Sequence, residues 1–139
     1  MNIRILVLFL LLAACETEDA TPTTTLNDAF DTQTATLLRA GVWMGANNYN
    51  VAGEAQIYQQ PDGTRVLLLD MFSSSNGPDL RVYLANDAKA SSFVNLGRLK
   101  STNGRQVYPI PAATDVNQFS FALIWCQQFS VSFGQAETK

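Results

Sequence analysis

Between Phe119 and Phe133 every odd position except Gln127 carries a large apolar side chain: Phe119, Phe121, Leu123, Trp125, Phe129, Val131 and Phe133. A period of two belongs to a β-strand, whose side chains point alternately to opposite faces. The row is expected to share one face, and Trp125 and the phenylalanines in it to be core. No stretch of the chain shows sustained helical periodicity. The one exception is Asp87 to Phe93, which suits a single helical turn.

The rest of the chain from about Leu37 obeys the same rule. Gly53 to Tyr58 alternates, with Ala55 and Ile57 on one face. Pro61-Asp62-Gly63 signals a turn, and Val66 to Met71 is nearly continuous apolar sequence, which together predict a hairpin with a buried second strand. Asn76-Gly77-Pro78-Asp79 is another turn, in which Pro78 fixes φ and Asp79 is expected to bond backbone amides. Leu80, Val82 and Leu84 then point inward and Arg81 and Tyr83 outward. Pro109 and Pro111, closing Gln106 to Ile110, suit an edge or a strand end. Short strands separated by turn signals predict an all-β domain, a single antiparallel sandwich or a partly closed barrel.

The two cysteines stand in opposite contexts. Cys15 ends a leader with one positive charge, Arg4, and the apolar run Ile5 to Leu12. That run is too short to cross a bilayer as a helix, which takes about 20 residues, and it fits a secretory signal peptide. Leu12-Ala13-Ala14-Cys15 has the form of a bacterial lipobox: small residues admit a signal peptidase, and the freed cysteine takes lipid. An ordinary signal peptide with an incidental cysteine is the alternative. The expected organisation is a signal peptide over 1–14, a lipidated Cys15 opening an acidic, Thr-rich flexible tether over 15–36, and a β domain over 37–139. The protein would face the periplasm or the cell surface, held to the membrane by lipid on Cys15.

Composition removes several function classes. The 139 residues include no histidine, which excludes Ser-His-Asp and Cys-His catalysis and imidazole metal sites. The net charge is −3, more negative still once Arg4 is lost with the leader, and no basic patch marks nucleic acid as a partner. Ser73-Ser74-Ser75-Asn76 lacks an activating base. Asp70 is expected to pair with Arg81 or Arg98, because a single carboxylate without clustered oxygen ligands makes a poor calcium site. No cofactor is selected by any motif.

Five blocks occur in a familiar order: Val51 to Ala55, Gly77 to Leu84, Leu96 to Lys100, Gly104 to Pro111, and Ile124 to Ala136 with its Trp125-Cys126 pair. Over about residues 40–136 the chain resembles the DM-thirteen domain, a small extracytoplasmic β domain found in bacteria and in animal surface proteins, often beside DOMON domains. The resemblance implies an electron-transfer or redox role centred on the cysteine that corresponds to Cys126. Many members carry a histidine shortly before the Val-x-Gly segment; this chain has Asn50 there, so no base or ligand role passes to that position.

With Cys15 lipidated, Cys126 is the only free thiol. One reading makes it a redox thiol supported by Trp125, Asp79 and Arg81, with Arg81, Arg98 and Lys100 as the cations that would favour a thiolate. It would then serve an accessory electron-transfer domain that needs a partner thiol, cofactor or metal. The other reading makes it a small buried hydrophobe in a non-catalytic envelope module for a glycan or a protein. Trp43, Tyr49 and Tyr58 are the aromatic residues open to a glycan-stacking surface in that reading, though nothing in their spacing singles it out.

Overall fold

The computed structural model describes residues 20–139; the leader, Cys15 and the start of the expected tether lie outside the described residues. Ten strands follow one another: β1 (Leu26–Asn27), β2 (Thr36–Val42), β3 (Met44–Gly45), β4 (Val51–Gln59), β5 (Arg65–Ser74), β6 (Leu80–Ala85), β7 (Phe93–Arg98), β8 (Gly104–Ile110), β9 (Phe121–Cys126) and β10 (Val131–Glu137). They form two five-stranded sheets, in the orders β1-β8-β5-β4-β2 and β3-β10-β9-β6-β7. Every pairing is antiparallel except that of β1 with β8. The fold is the expected all-β sandwich. It is stitched on one side, where β2 runs on into β3 and Ala40 and Lys139 exchange backbone hydrogen bonds of 3.1 and 3.0 Å, and it is not a closed barrel.

The continuous apolar run of β5 has a simple cause. Leu67 and Leu69 face the second sheet together with Ala55 and Ile57. Val66 and Leu68 point the other way, beside Tyr58, and are covered by Phe30 and Ala35. A strand buried on both faces has no polar side to alternate with. The predicted hairpin is present: β4 pairs with β5 through Ala55↔Leu69 and Ile57↔Leu67.

The cover over β5 comes from the stretch expected to be a flexible tether, and residues 20–36 correct that expectation. Ala20 bridges Pro78. The Asn76 side chain accepts from the Thr21 N–H at 3.2 Å and donates to its carbonyl at 2.9 Å. Thr102 N–H bonds Pro22, and Leu26–Asn27 pairs in parallel with Gly104–Arg105. Asp28 pairs with Lys100, and Phe30 lies against Tyr58 at 5.3 Å between ring centroids. Threonines and an asparagine here satisfy backbone groups on the domain surface, so polar composition marked a strap and not a free linker. Where the strap pairs with the start of β8, Gly104 has φ +97°, and a Cβ there would lie 2.1 Å from the Leu26 carbonyl oxygen.

The odd-numbered row also divides. The turn after Cys126 ends β9, and a register shift between Ser132 and Gly134 irregularises β10. Along β9 the small even residues Ala122, Ile124 and Cys126 enter the inter-sheet core. Leu123, Phe121 and Trp125 lie on the outer face with Tyr83. Only Phe133, with Phe119 and Val131 at its margin, joins the central core, and Phe129 is 63% exposed in the turn. Tyr83 does point outward from β6 but is buried, stacked between Phe93 (4.2 Å) and Trp125 (6.0 Å). Asp87 to Phe93 forms turns and no helix; the Asp87 carboxylate accepts from the Lys89 and Ser91 backbone N–H groups.

Candidate functional site

Cys126 is the last residue of β9, paired with Leu80 on one side and Val131 on the other. Its side chain shares the inward face with Ala122 and Ile124 and is fully buried. The loop between β5 and β6 closes over it. The Cys126 thiol donates to the Pro78 carbonyl oxygen at 3.1 Å, and the next backbone N–H, Gln127, donates to the Asp79 carbonyl at 3.1 Å. Gly77 lets the loop sit this low: a Cβ there would meet the Phe133 ring at 2.6 Å.

The same loop is pinned from outside. Asn76 clasps Thr21 and also accepts from the Gly77 N–H at 2.7 Å. Ser75 and Asn50 exchange two hydrogen bonds, Ser75 N–H to the Asn50 carbonyl at 2.7 Å and Asn50 N–H to the Ser75 hydroxyl at 2.9 Å. Asn50 therefore lies beside the cap over Cys126. Asp79 adopts φ 52°, a left-handed conformation uncommon for a residue with a side chain.

Asp79 bonds Arg81 Nε at 2.7 Å through its carboxylate, with Arg98 at 3.8 Å. The expected bonds from Asp79 to backbone amides are replaced by this cluster, and Asp70, expected to pair with Arg81 or Arg98, has no salt bridge among the described residues. The three supporting residues thus divide: Asp79 and Arg81 sit together outside the cap, while Trp125 occupies the opposite face of β9 from the thiol. Lys100 is turned away to Asp28.

A second polar group is buried behind the strap. Tyr108 donates its hydroxyl to Gln106 Oε1 at 2.6 Å and accepts from the Lys100 backbone N–H at 2.9 Å. Gln106 Nε2 donates to the Ser101 carbonyl at 2.8 Å. Burial pushes the Tyr108 phenol far above its ordinary range, so it acts only as a neutral hydrogen-bonding group.

The candidate glycan-stacking surface does not form. Trp43 and Tyr58 are buried, and Tyr49 lies flat on Phe133 at 3.6 Å. Among the described residues no three thiol, carboxylate or imidazole side chains gather as a metal ligand set, and no helix is long and apolar enough to cross a membrane.

Two facing β-sheets, one buried thiol beneath a clasped loop and an acid–guanidinium cluster outside it define an all-β sandwich with one cysteine in its inter-sheet core. The chain belongs to the family described as electron transfer DM13, whose model matches residues 44–138. No curated protein and no solved structure matches the chain. The matched region contains the whole cap and Cys126, while the strap over residues 20–36 precedes it.

What the site can do chemically follows from the cap. A thiol enclosed beneath the loop and bonded to the Pro78 carbonyl is out of reach of an exchange partner in this conformation. Sequence reasoning missed Asn76, Thr21 and Pro78 as partners of this site, because their contacts join segments 55 and 48 positions apart.

Proposed function

We propose that the protein is a lipid-anchored envelope domain of the electron-transfer class in which Cys126 is the redox group and the Gly77–Asp79 loop controls access to it. Family membership supports the class. The single observation that carries the assignment is the position of Cys126: it lies directly under a cap formed by one loop, held by the Pro78 carbonyl and clasped by Asn76. With the loop lifted, the thiolate attacks a partner disulfide. A new S–S bond forms to Cys126, the partner's second sulfur leaves with the bonding pair, and the thiol proton passes to solvent. One thiol alone stores no disulfide, so the partner must bring the other sulfurs.

Full burial of Cys126 favours a second reading, a non-catalytic envelope module for a glycan or protein in which the thiol only packs. Alkylation of the folded chain across pH decides between them. Slow but measurable modification whose rate follows loop opening and stays well above global unfolding is expected for the redox reading. Modification only at the rate of global unfolding overturns it and leaves the packing role.

The lipid anchor has its own support in the order of apolar run, small residues and cysteine over Ile5–Cys15. Mass spectrometry of the mature chain checks it: acyl chains on Cys15 are the expected result, and an unmodified or differently cleaved terminus is the contrary one.

A further inference from the structure

We infer that the end of the sandwich bearing the Phe129 turn lies against the lipid headgroup layer. This rests on the anchor at Cys15 proposed above and adds an orientation to it. The chain is attached to the domain from Ala20 onward, through Pro78, Asn76 and Thr102. Cys15 stands five positions before Ala20, and at about 3.3–3.6 Å per residue such a stretch reaches at most about 18 Å. A 20-residue tether would have let any face meet the bilayer; this one presents the end where the strap begins.

That end is defined by the strands. β4, β6, β8 and β10 begin there, and β5, β7 and β9 finish there. Its loops are 46–50, 75–79, 99–103 and 127–130. Their only charged residues are Asp79 and Lys100, and both are already paired, with Arg81 and Arg98 and with Asp28. The opposite end carries Asp62, Asp87 and Asp115 in its loops, with Lys89, and none of the three carboxylates has a salt bridge among the described residues. The loops of the described domain therefore place their unpaired carboxylates away from the anchor, while Glu16, Glu18 and Asp19 stand between Cys15 and the domain.

Phe129 stands in the uncharged turn Gln127-Gln128-Phe129-Ser130 and is 63% exposed. The Gln127 N–H bond to the Asp79 carbonyl joins that turn to the loop that Ala20 bridges. An aromatic ring left in water at a neutral tip, within anchor reach, matches the interfacial zone, where an amphipathic or apolar ring replaces water contact by contact with lipid. The cap over Cys126 belongs to this same end, so a redox partner meets it at the membrane surface.

The test uses the full lipidated chain on vesicles of phosphatidylethanolamine and phosphatidylglycerol, with and without brominated acyl chains. Phe129→Trp reports the near end and Gln118→Trp the far end; native Trp43 and Trp125 set the wild-type baseline. Brominated lipid is expected to quench the added emission at 129 and leave that at 118 unchanged. Equal quenching at both positions, or none at 129 while the acyl mass on Cys15 is present, overturns the inference. Absence of the acyl mass, with no vesicle binding by any variant, instead removes the anchor on which the inference rests.

Discussion

Cys126 shows how little a residue's identity says until its partners are known. Its Sγ has one polar neighbour, the Pro78 carbonyl, and otherwise touches the apolar core. Cys126→Ala removes a buried sulfur from a packed site and is expected to lower unfolding stability by about 1–2 kcal/mol, measured by urea denaturation. Cys126→Ser keeps a donor for Pro78 but buries a more strongly polar hydroxyl. It should retain the fold, and under the redox reading it should lose electron transfer entirely. Transfer activity that survives the serine variant would remove Cys126 from the mechanism. Phe129 and Leu123 make the same point for apolar residues. Both belong to the odd-numbered row, yet one is exposed and the other fully buried on the outer face, because a turn lies between them.

At the scale of elements, the strap and the cap form one unit. Asn76 makes three hydrogen bonds that tie Thr21 and Gly77 together above the thiol. Asn76→Ala removes all three, and at roughly 1 kcal/mol for a typical bond the cap should open about 10- to 100-fold more often. The expected reading is a matching rise in the alkylation rate of Cys126 with little change in melting temperature. An unchanged rate would mean that access is limited by global unfolding and not by the loop. Gly104→Ala strikes the β8 residue that pairs with the strap at Leu26, where φ is +97° and the Leu26 backbone leaves no room for a Cβ. It should release β1 from β8, seen as faster proteolysis within residues 20–30 while the sandwich itself stays protected.

For the whole molecule, the strap's attachment depends on pH. The Lys100 ammonium beside Asp28 holds its carboxyl below the ordinary aspartate range, helped by the Val107 N–H and opposed by partial burial. A carboxyl with a lowered folded value contributes its full stabilisation above its ordinary value of 3.8 and loses it as pH falls through the folded value. Because both partners are partly exposed, the contribution is no more than about 1 kcal/mol. Acid should loosen the strap below pH 4, and Lys100→Met should loosen it at neutral pH; hydrogen exchange over residues 20–30 at the two pH values checks both. The Asp31, Asp62 and Asp87 carboxyls are lowered too, by the Gln33 N–H, the Thr64 hydroxyl and the Ser91 hydroxyl respectively, so acid weakens several surface turns together.

Local order was legible in the sequence because it depends on neighbours. The alternation at Leu80–Leu84, the Pro61-Asp62-Gly63 turn and the buried run at Val66–Leu69 each reflect contacts made within a strand or hairpin, and the structure has all of them. The absence of histidine bounded the chemistry without any coordinates. What only the tertiary structure decided involves pairs distant along the chain. Residues 20–36 are a strap because Asn76, Thr102 and Gly104 offer partners to their backbone, and a Thr-rich composition is equally compatible with solvent. Trp125 and Leu123 face outward, away from the central core, because Tyr83, Ala90 and Phe93 build a second apolar layer there. Cys126 is closed to solvent because one loop crosses it. Periodicity assigns a side chain to a face, but burial of that face is a property of whatever else the fold lays upon it.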